Sequence, residues 1–112
     1  MSEIVVFSTA TSADEAERIA TVLVEDQLAA CVNILPQIRS VYFWESELRR
    51  DSEALMIVKS VEEKLPELTE RIRSLHSYST PEIIALEIRG GSSEYLHWLR
   101  ETLLRRSAQG EA

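Results

Sequence analysis

The segment from His76 to Glu82 carries the side chains of this sequence that are best suited to chemistry. It supplies an imidazole, a phenol, several hydroxyl groups and a carboxylate between a helical pattern and an apolar strand pattern. Pro81 favours an extended backbone at Thr80, so the end of the segment should be stiff. A connection from a helix to a strand can hold polar groups at the rim of a sheet. These residues alone leave two interpretations open, an ordinary polar turn and a functional site.

Three residue types in the chain suit a metal ion of borderline or soft character. His76, Cys31 and Glu82 offer an imidazole, a thiolate and a carboxylate, and the first two favour copper or zinc over magnesium or calcium. Dedicated metal sites usually contain closely spaced ligand pairs, and this sequence has no pair of the Cys-x-x-Cys type. Spacing does not say whether Cys31 and His76 meet, and Cys31 alone also fits a small buried side chain. Copper or zinc is therefore a candidate ligand that the fold does not require.

The sequence shows no set of residues for nucleophilic or acid–base catalysis. Its two histidines are His76 and His97, and neither lies in a catalytic motif. His97 falls on an amphipathic helical pattern, which favours a surface or packing position. The three glycines, at positions 90, 91 and 110, do not form a phosphate-binding loop. We therefore predict no catalytic residues and a protein that is not an enzyme.

The charge balance limits the kinds of partner. Nineteen acidic residues against twelve lysines and arginines give this 112-residue chain a net charge of −7, which argues against a nucleic-acid partner. No apolar run approaches the roughly 18 residues that span a bilayer, and no signal-peptide pattern opens the chain. The single cysteine, Cys31, cannot form an internal disulfide. We predict a cytoplasmic protein that binds neither nucleic acid nor membrane.

The hydrophobic pattern predicts strand, helix, two strands, helix, strand and a final helix. The predicted strands are Ile4–Thr9, Ala29–Ile34 continuing through Arg39–Trp44, Ala54–Val58 and Ile83–Arg89, and the helices follow Ser12, Lys64 and Ser92 or Ser93. With right-handed crossovers this order gives an α+β, ferredoxin-like antiparallel sheet with an extra C-terminal helix. Residues 1–106 form one domain, and residues 107–112 form a flexible tail.

The second and third strands should form a long hairpin. Pro36 indicates a bulge, and the polar residues 47–52 are expected to form the turn between the strands. Strand alternation places Tyr42 and Trp44 on one side and Phe43 on the other. A small sheet with helices on one side cannot bury bulky groups on both faces, so these aromatics predict an interface between copies of the chain.

Five segments together resemble the CutA family of divalent-cation tolerance proteins. They are Ala29–Pro36, Ser40–Trp44, Ile57–Lys59, His76–Ile84 and Tyr95–Leu99, and the match runs in register from about Ile4 to Leu103. The resemblance implies a tight homotrimer like that of PII signalling proteins, with the long hairpin lying across neighbouring subunits. It also implies a role in tolerance of copper and other divalent metals, and no catalytic activity.

The resemblance implies that its marked residues lie near clefts between subunits. Those residues are Cys31, Tyr42, Trp44, Lys59, His76, Tyr78, Pro81 and Glu82. Three functions stay open: a trimer that binds divalent cations through His76 with Cys31 or Glu82, a PII-like module that holds a small anionic or zwitterionic ligand in the cleft, and a structural trimer. The chain departs from the family pattern at Ser77, Ser79 and the Ser46-Glu47 pair. It also has Ser8 where some copper-linked members carry a second cysteine.

Overall fold

The chain folds as a four-stranded antiparallel sheet with three helices. The structure is a computed structural model that describes residues 2–110, with side chains as far as residue 104. The elements are β1 (Glu3–Ala10), α1 (Ala13–Glu25), β2 (Cys31–Trp44), β3 (Glu47–Val61), a 3₁₀ turn (Glu62–Lys64), α2 (Leu65–Leu75), β4 (Ile84–Glu87) and α3 (Ser93–Gly110). The strand order β2-β3-β1-β4 is that of a ferredoxin-like sheet, which confirms the predicted fold class.

Helices α1 and α2 cover one face of the sheet. Ile19 and Leu23 of α1 and Ile72 of α2 pack in one buried cluster with Val6 and Met56 of the central strands. These positions follow the helical and strand periodicities, so the same apolar repeats that predict the elements also form the core. We call this side of the sheet the helix-covered face and the opposite side the open face.

Strand β4 and helix α3 differ from their predicted bounds. Strand β4 spans Ile84–Glu87 and is shorter than the predicted Ile83–Arg89. Helix α3 continues to Gly110 through most of the predicted tail, while Glu111 and Ala112 lie outside the described residues. The two helical starts agree more closely, since α2 begins at Leu65 and Ser92 caps α3 by accepting a hydrogen bond from the backbone N–H of Tyr95. No helix within residues 2–110 is long and apolar enough to cross a membrane.

The hairpin turn lies earlier in the chain than the predicted turn at residues 47–52. Glu45 and Ser46 form it, with positive φ angles of 50° and 64°, as in a two-residue turn whose twist matches antiparallel strands. The pairing therefore continues to Trp44 opposite Glu47, and residues 47–52 belong to β3 rather than to the turn. The polar composition of this stretch is misleading because both of its faces lie beyond the helices, so the strand has no need of an apolar side.

A bulge in β2 decides which side chains reach the open face. Leu35 pairs with Leu55 and Ile38 with Glu53, so β2 contains one residue more than β3 between the two pairs. The extra residue adjoins Pro36, which cannot donate a ladder hydrogen bond, and the bulge predicted there is confirmed. The shift reverses the alternation of β2, because Leu35 and Ile38 face the same side although they are three residues apart.

Beyond the bulge, the even-numbered residues of β2 share the open face with the odd-numbered residues of β3. Tyr42 pairs with Arg49 and Trp44 with Glu47, so both aromatics point to the same side as Glu53. Phe43 lies on the other side and is largely exposed. The prediction that Tyr42 and Trp44 share a side is confirmed.

Helix α3 covers only one end of the open face. Leu99 and Leu103 bury Val61 in a second apolar cluster, and Arg100 forms ion pairs with Glu3 at 2.7 Å and Glu63 at 2.8 Å. The rest of this face carries exposed apolar side chains. Leu35, Ile84 and Leu86 are 41%, 50% and 53% exposed.

Two buried serines on the helix-covered face allow a matched test of the core. The Ser60 hydroxyl donates to the carbonyl oxygen of Leu28 at 2.6 Å, whereas the Ser8 hydroxyl has no hydrogen-bond partner among the described residues. We expect Ser60→Ala to lower the free energy of unfolding by about 1–2 kcal/mol, and Ser8→Ala to leave it unchanged or raise it, because only the first removes a satisfied bond. Urea denaturation at equal protein concentration measures both. Equal losses in the two variants would contradict the assignment.

Candidate functional site

A cleft of about 800 Å³ opens between the projecting hairpin and the segment that follows α2. Tyr42, Trp44 and the carboxylates of Asp51 and Glu53 line it from the hairpin. Residues 77–80 and Glu82 line it from the other side. We call it the hairpin cleft, and we call residues 76–83 the α2–β4 loop. The cleft depends on the bulge of β2, which turns the two aromatics of that strand toward the open face.

Two phenols in the cleft donate hydrogen bonds to two carboxylates. The Tyr42 hydroxyl donates to Oδ2 of Asp51, and the Tyr78 hydroxyl donates to Oε2 of Glu53 at 3.3 Å. The bond to Asp51 raises the pKa of Tyr42 to about 12, while burial, together with the charge of Glu53, raises the pKa of Tyr78. Both phenols therefore stay protonated and act as donors at physiological pH.

Negative charge prevails in the hairpin cleft. Its lining contains three carboxylates, Asp51, Glu53 and Glu82, and one guanidinium, Arg49. The guanidinium is engaged by Glu47 at 3.3 Å. Glu53 is only 7% exposed, and its second oxygen, Oε1, accepts no hydrogen bond from the residues that the structure describes. The cleft thus holds a largely buried glutamate with one carboxylate oxygen bonded to Tyr78 and the other accessible to solvent.

His76 fixes the start of the α2–β4 loop with both ring nitrogens. The backbone N–H of Tyr78 donates to Nδ1 at 3.0 Å, so this nitrogen is an acceptor and the proton of the neutral ring lies on Nε2. Nε2 then donates to the carbonyl oxygen of Thr9 at 2.7 Å. The imidazole is buried and lies 5.0 Å, centroid to centroid, from the Tyr78 ring. In this arrangement neither nitrogen is left to bind a ligand.

Glu15 holds the same loop from the helix side. One carboxylate oxygen accepts from the backbone N–H and the hydroxyl of Thr11 at 2.8 and 2.9 Å, and the other accepts from the backbone N–H of Ser77 at 2.9 Å. Burial would raise the pKa of Glu15, but these hydrogen bonds outweigh it and lower the pKa to about 2. The carboxylate therefore stays ionised and joins the β1–α1 connection to the α2–β4 loop.

Sequence reasoning missed this role of Glu15. The Ser12-to-Glu15 spacing predicts a capping box, and Ser12 does cap α1 by accepting from the backbone N–H of Glu15 at 3.1 Å. The carboxylate reaches Thr11 and Ser77 instead of the backbone N–H of Ser12. No local pattern could reveal the contact to Ser77, because 62 positions separate the two residues.

Comparison with known proteins decides the family. The family model described as CutA1 divalent ion tolerance protein matches residues 4–102. The chain belongs to the CutA1 divalent ion tolerance family. It is 50% identical over 99 residues to the divalent-cation tolerance protein CutA of Thermus thermophilus, a match that covers 88% of this chain and 96% of that protein. Protein CutA of Homo sapiens is 43% identical over 95 residues, covering 85% of this chain and 53% of the human protein.

Solved CutA1 structures have the same fold. The divalent cation tolerance protein of Thermus thermophilus superposes with a TM-score of 0.87 at 49% identity, covering 89% of this chain and 97% of that one. CutA1 from Oryza sativa gives a TM-score of 0.88 at 43% identity and covers 91% and 94% of the two chains. The chain spans about half the length of the plant and human curated relatives, and nearly all of the Thermus protein.

The CutA1 resemblance seen in the sequence is thereby confirmed, but one chain does not assemble the predicted metal ligands. Cys31 lies opposite Lys59, which lies opposite Val5, whereas His76 bonds Thr9, four residues further along β1. Four residues of strand place Cys31 and His76 about 13 Å apart or more. Across the described residues, no three His, Cys, Asp or Glu side chains come together as a metal site.

The structure separates the predicted cleft residues of this CutA1-family chain into two groups. Tyr42, Trp44, Tyr78 and Glu82 line the hairpin cleft, and Pro81 adjoins it between two lining residues. Lys59 lies elsewhere, because its ammonium group binds the side-chain oxygen of Asn33 near the far end of the sheet. Sequence reasoning did not identify Asp51 and Glu53, since acids in a polar stretch look like an ordinary solvated surface.

Acid unfolding tests the role of Glu15. Its folded-state pKa of about 2 lies below the ordinary 4.5, so its contribution is fully present above pH 4.5 and is lost as the pH falls toward 2. We expect Glu15→Gln to lower the free energy of unfolding at pH 7 by roughly 2–3 kcal/mol and to flatten the dependence of stability on pH between 5 and 2. Denaturant titrations across this pH range measure both.

The exposed Glu17→Gln variant on the same helix is the matched control and should leave the pH profile unchanged. A Glu15→Gln profile with the slope of the unmodified protein would show that the carboxylate does not hold the loop.

Proposed function

We propose that this CutA1-family chain acts as a cytoplasmic homotrimer in the tolerance of divalent cations such as copper, without catalysing a reaction. Membership of the family supports the cation role, and the single cysteine is compatible with a reducing compartment. The observation that carries the proposal is the lining of the hairpin cleft, which contains three carboxylates and one guanidinium, that of Arg49, paired with Glu47. Such a cleft attracts cations from solution, as does the net charge of −7.

The open face of the sheet supports self-association. Ile84 and Leu86 of β4 and Leu35 of β2 expose apolar side chains along it, and the hairpin carries Phe43 and Trp44 beyond the helices. Contiguous apolar surface of this kind is characteristic of an interface. The resemblance to trimeric CutA proteins supports three copies, with the hairpin lying against a neighbouring subunit and completing the cleft.

Asp51 and Glu53 offer a better cation site than His76 and Cys31, whereas Glu82, the third ligand predicted from the sequence, lines the cleft. Asp51 and Glu53 lie two positions apart on one face of β3, so both carboxylates point into the cleft. His76 could become a ligand only by losing its bond to Thr9 or to the N–H of Tyr78. Among divalent ions of the first transition row, Cu²⁺ binds a given set of oxygen and nitrogen ligands most strongly. A neighbouring subunit would supply the remaining ligands.

The size of the cleft favours a second candidate function, a PII-like module that binds a small molecule. A volume of about 800 Å³ lies within the range of ligand sites, roughly 300–1,000 Å³. Trp44, Tyr78 and Glu82 provide the mixture of aromatic and polar groups that such sites use. Lys59 lies outside the cleft, so its ammonium group would not contact the anionic or zwitterionic ligand predicted from the sequence.

Sedimentation equilibrium tests the trimer. We expect a mass three times the 12.7 kDa of one chain, and we expect Leu86→Glu to reduce it to a single chain, because the substitution places a charge on the apolar open face. Thr21→Glu introduces the same side chain on the exposed face of α1 and should leave the trimer intact. A monomeric unmodified protein, or a trimeric Leu86→Glu variant, would contradict the proposed assembly.

Copper titration by calorimetry tests the site. We expect the double substitution Asp51→Asn and Glu53→Gln to weaken Cu²⁺ binding by about tenfold or more, since it removes both charged oxygen ligands. The double substitution Cys31→Ser and His76→Gln should keep the affinity of the unmodified protein, because glutamine at position 76 retains a donor and an acceptor. The reverse pattern would return the site to the residues predicted from the sequence.

A further inference from the structure

We propose that the hairpin cleft binds an organic ammonium ion, an amine carried on an extended carbon chain, with Glu53 as its anchor. The inference rests on the proposed role of the cleft as a ligand site and names the class of ligand. Its basis is the balance of charge in the cleft, a solvent-accessible carboxylate oxygen of Glu53 that accepts no hydrogen bond from the described residues, and the aromatic walls.

The charges of the cleft disfavour an anionic ligand. Three carboxylates line it, and the one guanidinium among the lining residues, Arg49, is engaged by Glu47. Lys59 is held by Asn33 away from the cleft. An anion would therefore meet like charge, whereas a cation gains from every acidic side chain in the lining.

Glu53 offers a cationic partner an oxygen that accepts no hydrogen bond within the described chain. It is more than nine-tenths buried, yet its one hydrogen bond comes from a neutral phenol, that of Tyr78, at 3.3 Å, longer than an ordinary O–H···O bond of about 2.7–2.8 Å. Its Oε1 accepts nothing from the described residues. Ser8 Oγ is the only buried side-chain polar atom without a partner among the described residues, so the unbonded Oε1 of Glu53 is open to solvent and accessible to a ligand in the cleft. An ammonium group brings several N–H donors and a positive charge to that oxygen.

The aromatic walls favour an organic cation over a bare metal ion. Tyr42 and Trp44 lie two residues apart on one face of β2, about 7 Å along the strand, and Tyr78 stands beside the carboxylate of Glu53. Aromatic faces attract alkylammonium groups and cover carbon chains. A cleft of about 800 Å³ also has room for a carbon chain.

Calorimetry on the intact protein tests this proposal with putrescine and spermidine as probes. Butane-1,4-diol is the neutral counterpart of putrescine, and Mg²⁺ controls for charge without a carbon chain. We expect both amines to bind, and the diol and Mg²⁺ to bind at least about tenfold more weakly. Glu53→Gln should weaken putrescine binding by about tenfold or more.

Two further variants sharpen the assignment. Tyr42→Phe keeps the aromatic ring but releases Asp51 from its hydrogen bond, so it should tighten putrescine binding. Glu45→Gln removes one charge from the exposed hairpin turn and should leave the affinity unchanged. If Glu53→Gln and Glu45→Gln weaken binding equally, the attraction comes from general charge and the proposal is wrong.

The same set of measurements separates this proposal from the proposed cation role. Putrescine that fails to bind, while copper binding still falls in the Asp51 and Glu53 variant, would overturn the ammonium site and leave the copper site standing. Diol binding as strong as putrescine binding would also overturn it. If Glu53→Gln loses the trimer, a cationic side chain of a neighbouring subunit already binds the carboxylate. That result would also overturn the ammonium site.

Discussion

A buried carboxylate at the start of α1 fixes the geometry on which the cleft depends. Glu15 accepts hydrogen bonds from Thr11 and from the N–H of Ser77, and so ties the α2–β4 loop to the first crossover of the fold. His76 adds a second tie through Thr9. These contacts place Tyr78 against Glu53. Without them the hairpin would project into solvent with no opposing wall, and its polar residues would not form a site.

The hairpin contributes the other wall, and one extra residue sets its character. The bulge beside Pro36 turns Tyr42 and Trp44 onto the open face, where they meet Asp51 and Glu53 of β3. A regular β2 would send the aromatics to the opposite side and would place Gln37 and Arg39 opposite Glu53 and Asp51 instead. The bulge therefore couples aromatic and acidic side chains that a perfect ladder would have separated.

The sequence predicts the elements whose buried side chains recur at a regular spacing. It does not predict contacts between distant residues or the bounds of exposed segments. The element order follows from the hydrophobic periodicity, because one buried side fixes the register, and the shared face of Tyr42 and Trp44 follows from the alternation of side chains along a strand. The hairpin turn forms at Glu45 and Ser46, before the polar stretch that predicts it, because the strands beyond the helices have no apolar face to mark them. The bond from Glu15 to Ser77 joins distant parts of the chain, and no local pattern encodes it.

The residues that identify the family and the residues suited to bind a cation are largely different ones. His76 is the most distinctive side chain of the α2–β4 loop, yet both of its nitrogens are used within the fold, so its role is to shape the loop. Asp51 and Glu53 are ordinary acids in a polar stretch, but the hairpin brings them into a cleft where one of them is nearly buried. In such a scaffold the residues that identify the family are those that hold the loop in place. Its choice of ligand can then change through a few strand carboxylates, without disturbing the hydrogen bonds that hold the loop.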